Sequence, residues 1–405
     1  MGFFDRLFGS PTKDKFALML KTAIEKAGEK EAIYYDAKEY CLRTKGEGEH
    51  TLNLTNAYNE YCGASKADKS IVVRNFVRSW IDSRKELPDD FESAKHDLLP
   101  GIRNRILFED TAMRLKVDEK PKFSWPYRQM VECLGVGLVY DLPSSMIQLQ
   151  QSSLDKWDTT FEEAYEVACE NLREITKHTL KEVSPGVWSS PWRDNYDPSR
   201  MLLIDYIRHH KVTGDPVVML PNRDTLLLTG SEDSAGLGKM ARIAAEAYEH
   251  PRSLCGNAFR LTDEEEWVAF LPNPEHAHYK DFKLLQIKSD GSVYEQQTAT
   301  LNELHEKTGK DIFVASFSAM KKTDTGELRS YCVWSQGVVA FLPKADYIYF
   351  FRPRDSEKGD IVATVRWADA ISVLNGRMKP VGLYPERYLV EGFPTDEEIT
   401  GFGFQ

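Results

Sequence analysis

Apolar side chains recur at helical spacing along residues 12–28, with Phe16, Leu20, Ala23 and Ala27 on one face and Gly28 at the stop, which predicts a first helix. The period then shortens. Residues 32–35, 40–43 and 51–54 alternate and are rich in β-formers, and helical spacing returns over 56–84 through Ile71, Val72, Phe76 and Trp80. Residues 12–98 therefore read as an αβββα lobe. Pro88, and Pro100 with Gly101, interrupt the next stretch, and 118–121 read as a loop ahead of the apolar run 136–140. Thr160 is placed to cap a helix over 161–178, and Asp197-Pro198-Ser199 opens another that runs through His209. Two buried strands, 217–220 and 225–228, flank the turn Pro221-Asn222-Arg223-Asp224 and predict a hairpin backed by a helix over 237–250. Stretches 254–261 and 267–271 return to the sheet.

The last segment, 289–405, repeats a phrase of the middle one. Leu342-Pro343-Lys344-Ala345-Asp346 stands between apolar runs as Leu220-Pro221-Asn222-Arg223-Asp224 does, and a short helix over 365–374 comes after it. A divergent copy of the hairpin-helix unit is the expectation. The whole predicts an α+β fold of mixed or antiparallel sheets with packed helices. Its three lobes are 12–98, 99–288 and 289–405, preceded by an aromatic segment at 1–11.

Length and charge change this picture in two respects. A chain of 405 residues is too long for one small module, and 52 Lys and Arg against 63 Asp and Glu, a net charge of -11, set it against a phosphate backbone. Nucleic acid is not expected as a partner. No apolar run reaches the roughly 18 to 20 residues of a membrane span, and the first residues lack a secretory pattern, so a cytoplasmic setting is expected. The cysteines, Cys41, Cys62, Cys133, Cys169, Cys255 and Cys332, are scattered without a metal-binding spacing and read as reduced, mostly buried thiols. Phe4, Leu7 and Phe8 share a helical face. They read as packing on the protein's own body, with peripheral membrane or partner contact as the alternative.

Residues 99–288 carry landmarks in a particular order. These are Leu99-Pro100-Gly101-Ile102-Arg103, Leu138-Val139-Tyr140-Asp141-Leu142, Asn171-Leu172-Arg173, Tyr196-Asp197-Pro198-Ser199-Arg200, and the hairpin from Gly214 to Leu228. In this order and spacing the chain resembles the YtpQ-like family, a bacterial domain of unknown function. It departs from the family pattern at Pro198, where the family has Ala, and at Asn222 and Arg223, where the family usually has His and Gln. The resemblance implies an α+β fold and a bacterial cytoplasmic setting. It implies no activity, cofactor or catalytic residue.

Candidate chemistry concentrates at Asp194, Tyr196, Asp197, Ser199 and Arg200. Backbone N–H groups at a helix start and a guanidinium together suit a phosphate or carboxylate, and Ser199 and Arg200 are the candidate anion-binding residues. The structural reading of the same residues is a cap from Asp197 or Ser199 and a pairing of Arg200 with a carboxylate of the chain itself. Asp224 and Asp346 sit at turn positions where an Asp side chain bonds backbone amides; Asp197 and Asp224 are second-rank acid/base candidates. Trp188, Trp192 and Tyr196 lie in a Pro/Ser-rich stretch and form the candidate recognition surface. Gly230 to Lys239 does not match a phosphate loop, and His276 and His278 lack a third ligand nearby, so no metal and no cofactor is expected. The resulting functional expectation is a non-catalytic binding or adaptor module with a protein partner. The alternative is an enzyme acting on an anionic small molecule held by Arg200, with Asp197 or Asp224 as acid/base.

Overall fold

The fold was analysed in a computed structural model. The structure describes residues 11–402 except 45–49, 84, 118–123, 144, 324–325, 356–357 and 375. Phe4, Leu7 and Phe8, and the loop expected at 118–121, lie outside the described residues.

Thr12 accepts the N–H of Lys15 and opens the helix Lys13–Lys26, whose buried face is Phe16, Ala17, Leu20 and Ile24. That face lies on an antiparallel sheet of Ile33–Asp36, Cys41–Thr44 and Thr51–Asn53. Helices Thr55–Gly63 and Lys69–Asp82 close this first unit. Trp80 is fully buried there, with its indole N–H donated to Glu29.

Pro100 and Gly101 do not interrupt the chain. They lie inside the strand Leu98–Asn104, which pairs antiparallel with Leu134–Leu142 from Leu98↔Tyr140 to Asn104↔Leu134. This strand is at the sheet edge, so the N–H that Pro100 lacks has no ladder partner to lose. Opposite Gly101 stands Gly137, where a Cβ would approach Phe108 to 3.0 Å and Gln148 to 2.6 Å, so the strand needs glycine.

The predicted hairpin is the centre of a six-stranded antiparallel sheet. Its order is Trp267–Phe270, Ala258–Leu261, Pro216–Asn222, Thr225–Gly230, Val187–Ser189 and Lys181–Ser184. One face carries the helix Ser234–Tyr248 over Val217, Met219 and Leu227; the other carries Val218, Leu220, Leu226 and Leu228 into the main core. Strand alternation thus serves two cores at once. Cys133 and Cys255, in that main core, are paired as a disulfide, which corrects the expectation of reduced thiols for these two. Cys41, Cys62, Cys169 and Cys332 are free.

A single 30-residue helix, Tyr279–Thr308, runs across residue 288 and ends at Gly309 in the left-handed conformation. It buries Ser289, Gln297 and Thr300 as well as apolar residues, joining the middle sheet to the last two sheets. The first of these orders Phe313–Val314, Ala340–Pro343, Arg387–Val390 and Met378–Pro380. The second orders Ser318–Lys321, Leu328–Ser335, Tyr347–Asp355 and Lys358–Arg366.

Here the expected repeat fails. Ala340–Pro343 and Tyr347–Asp355 belong to different sheets, so the second Leu-Pro-x-x-Asp is a crossing between sheets instead of a hairpin. At the crossing the Asp346 carboxylate accepts the N–H and hydroxyl of Ser330 and the ammonium of Lys283. The molecule is an α+β protein, with antiparallel and mixed sheets. Among the described residues no helix is long and apolar enough to cross a membrane.

Candidate functional site

The segment from Trp188 to Arg200 folds onto the main sheet. Trp188 sits in the strand Val187–Ser189 opposite Leu228 and packs against the core, as does Trp192. Beyond it the chain turns through Arg193 and Asn195, both with positive φ, at 55° and 69°. The carboxylate of Asp197 holds this turn by accepting the N–H groups of Arg193 and Asp194 at 3.2 and 3.1 Å, and caps no N–H of the short helix Pro198–Leu202 just after it. Ser199 is buried and accepts the N–H of Ile102 at 3.2 Å, fastening the turn to the edge strand.

Arg200 is fully buried. Its guanidinium donates in bidentate fashion to Asp194 at 2.9 and 2.7 Å and to Thr176 at 3.1 Å, and lies over the Trp192 ring, 3.9 Å from its centroid. Burial alone would push the Asp194 carboxyl up, but the contact with Arg200 holds it below its ordinary range. The anion on Arg200 is therefore a residue of this chain. Tyr196 is buried as well, and its hydroxyl donates to Asp141 at 2.6 Å. The residues expected to form an anion site and a recognition surface come together as a closed internal network.

Asp224 lies elsewhere, at the hairpin turn. One carboxylate oxygen accepts from Arg252 at 2.7 Å, and the other is buried without a hydrogen-bond partner. Arg252 also reaches Glu60 of the first unit at 3.4 Å. His276 and His278 lie with ring centroids 5.8 Å apart and tilted to each other before the long helix, with His278 on Asp281. No group of three His, Cys, Asp or Glu among the described residues is placed to hold a metal ion.

The open chemistry is in a cleft of about 380 Å³ between the middle sheet and the last two sheets, with the long helix as its floor. Asp290 stands on that floor. Among the described residues its carboxylate makes no hydrogen bond or ion pair. Burial raises its pKa to about 7, helped by the negative charges of Glu132 and Asp346 and opposed by Lys283. Glu132 faces the same space from a turn with φ of 35°, a conformation uncommon for a residue with a Cβ. Asn257 adds a buried carbonyl oxygen that accepts nothing.

The cations of the cleft are already engaged. Lys283 donates to Asp346 at 2.9 Å, Lys344 pairs with Glu386 at 3.3 Å, and Arg105 pairs with Glu109 at 2.8 Å while lying over the Tyr384 ring. Tyr384, Tyr294 and Phe317 give the walls an aromatic lining, the last two stacked 5.0 Å apart. Among the described residues the cleft thus presents unpaired acceptors and no unpaired cationic donor. Sequence reasoning missed it because its residues come from eight separated stretches. One signal was legible: Ser289-Asp290-Gly291 is a polar interruption inside an otherwise helical run.

With this geometry in hand, the comparisons with known proteins add kinship. The chain is similar to UPF0354 proteins of Listeria, a bacterial family whose name assigns no activity. It is 27% identical over 113 residues to the protein of Listeria welshimeri serovar 6b. It is 29% identical over 112 residues to that of Listeria monocytogenes serovar 1/2a. Each match covers 27% of this chain, and the chain spans 42% of the length of these relatives. No protein-family model matches the chain, and no solved structure matches it.

Proposed function

We propose that the protein is a binding protein whose ligand enters the cleft above Asp290 and offers it a protonated nitrogen, an ammonium or guanidinium group. The observation that carries this reading is the set of acceptors without donors: the Asp290 carboxylate, Glu132 and the Asn257 carbonyl oxygen. Asp290 is half-buried and its carboxylate is drawn partly out of water without a partner among the described residues; a cationic ligand supplies the counter-charge the chain leaves out. Aromatic walls suit the same ligand, since ring faces attract cations. Tyr196, Trp188 and Trp192 take no part, because their side chains pack against the protein itself.

A thermal-shift titration with n-butylammonium and with methylguanidinium tests the reading. Binding needs the ionised carboxylate, so the stabilisation should grow as pH rises from 6 to 8.5, through the value of about 7. Asp290→Asn should abolish the response. Equal melting temperatures with and without both cations at pH 8.5 would overturn the proposal.

A second reading is favoured by the same value of about 7, which suits a group that takes and returns a proton at neutral pH. It is separated from the first by tracking a bound amine by NMR over hours. Chemical change that requires Asp290 would make the cleft an active site, and an unchanged ligand would leave it a binding site.

A further inference from the structure

We infer that the protein carries a second site, for a phosphate- or sulfate-like oxyanion, where Arg103, Arg223 and Arg252 converge beside Asn195. The three come from different stretches brought together by backbone and side-chain bonds. Asn104 donates its side-chain N–H to the carbonyl of Leu254 at 3.0 Å, and the N–H of Arg223 donates to the carbonyl of Arg252 at 3.2 Å. Asn222 and Ser253 form an isolated bridge between the hairpin and the same stretch. The end of the edge strand, the hairpin turn and residues 252–254 therefore share one small volume.

The charges in that volume do not cancel. Asp224 and Glu60 are the carboxylates of the cluster, and both face Arg252. The two next carboxylates are engaged elsewhere, Asp141 with Tyr196 and Asp194 with Arg200. Arg103 is 4% exposed, and among the described residues its guanidinium has only the carbonyl of Ile102 at 2.8 Å and the sulfur of Met146 at 3.1 Å. Arg223 is half-buried, and among the described residues its side chain has no hydrogen bond or ion pair.

Burial, together with the charges of Arg223 and Arg252 and opposed by Tyr196, pushes Arg103 down to about 9; burial with the charge of Arg252, opposed by Asp224, pushes Arg223 down to about 10. Both remain cations at neutral pH. Arg387 shows that a buried arginine without a carboxylate need not be incomplete. Its donors meet Gln297, Thr298 and the carbonyls of Ala315, Phe341 and Tyr294. Arg103 has no such set.

Arg103 has no carboxylate partner among the described residues, and the one carboxylate near Arg223, Asp224, is paired with Arg252; these two guanidinium groups match a tetrahedral oxyanion, which accepts planar pairs of N–H donors. Backbone geometry is consistent with a built site: Asn195 and Arg252 both hold positive φ, at 69° and 64°.

The test is differential scanning fluorimetry of the full chain at pH 7.5 with 10 mM inorganic phosphate, sulfate or glycerol phosphate, each against chloride at matched ionic strength (about 10 mM being a working concentration for a weak site). The wild-type melting temperature should rise by about 2 °C or more in at least one oxyanion. A response to inorganic phosphate identifies the free ion as sufficient, and a response only to glycerol phosphate identifies an organic phosphate. Arg223→Gln should melt like wild type in chloride and lose the response. Because excluded salts also stabilise proteins generally, a rise shared by Arg223→Gln counts against the site. Arg103→Met provides the second arm, with a higher melting temperature in chloride and no oxyanion response. Identical wild-type melting in chloride and all three oxyanions would overturn the inference.

Discussion

Arg200 and Arg103 are both buried, yet they differ in what surrounds them. Arg200 has a bidentate carboxylate, a hydroxyl and an aromatic face. Arg103 has one carbonyl and one thioether, with two further arginines nearby. The difference separates two uses of buried charge. Where the chain supplies the counter-ion, the pair fixes a turn, and the residues that look most chemical in sequence are architecture. Where it does not, the imbalance is what an external group can relieve.

Breaking the complete side of this comparison should have the largest effect. Arg200→Met leaves Asp194 without its cation and removes the guanidinium from the Trp192 face. It should lower stability by about 3 kcal/mol in urea unfolding at pH 7. A loss below about 1 kcal/mol would show that the pair is as replaceable as a surface bridge. The paired expectation for Arg103→Met has the opposite sign, so measuring both on one protein sharpens the contrast without any ligand.

How much of this was legible in the sequence depends on the range of the forces involved. The capped helices at Thr12 and Thr160 and the hairpin around Asp224 are local, and the structure has them where periodicity and turn chemistry place them. The second Leu-Pro-x-x-Asp carries the same local signal and folds otherwise, with its Asp346 bonded to Ser330 and Lys283, both distant in sequence. The Arg200 corner was legible as a cluster, including the pairing of Arg200 with a carboxylate of the chain but not the expected cap from Asp197 or Ser199, which the short helix lacks. Its partner Thr176 and the Ser199 bond to Ile102 span separations that no local pattern reports. The Asp290 cleft and the arginine cluster are sums over separated stretches, so their chemistry exists only after folding.

The next effect extends the comparison to the acidic cleft. Asp290 titrates near 7 in the folded protein, against an ordinary value of 3.8, so between these values the native state holds a proton that the unfolded chain has released. Stability therefore falls as pH rises through that window and stays reduced above it. Asp290→Asn removes the dependence. The variant should match wild type below pH 4 and exceed it by about 2 kcal/mol at pH 8, a figure discounted for the open mouth of the cleft. Parallel pH–stability curves for the two proteins would mean that the carboxylate is solvated and poses no electrostatic problem.

The smallest effect is at Tyr196. Tyr196 donates to Asp141, and burial raises the Asp141 carboxyl, with this hydrogen bond opposing the rise. Tyr196→Phe keeps the ring in the core and removes one donor, which should lower stability by about 1 kcal/mol at pH 7. The Asp141 pKa should then move further up. That difference should shrink as pH falls through the Asp141 titration, since a protonated carboxyl no longer needs a donor to stabilise its charge. The bond ties the strand Leu134–Leu142 to the turn that positions both Arg200 and Asn195. If Tyr196→Phe weakens the oxyanion response while leaving cation binding at Asp290 unchanged, the arginine cluster is coupled to the Arg200 corner through this hydroxyl. If both responses persist, the closed network and the open one are neighbours without energetic linkage.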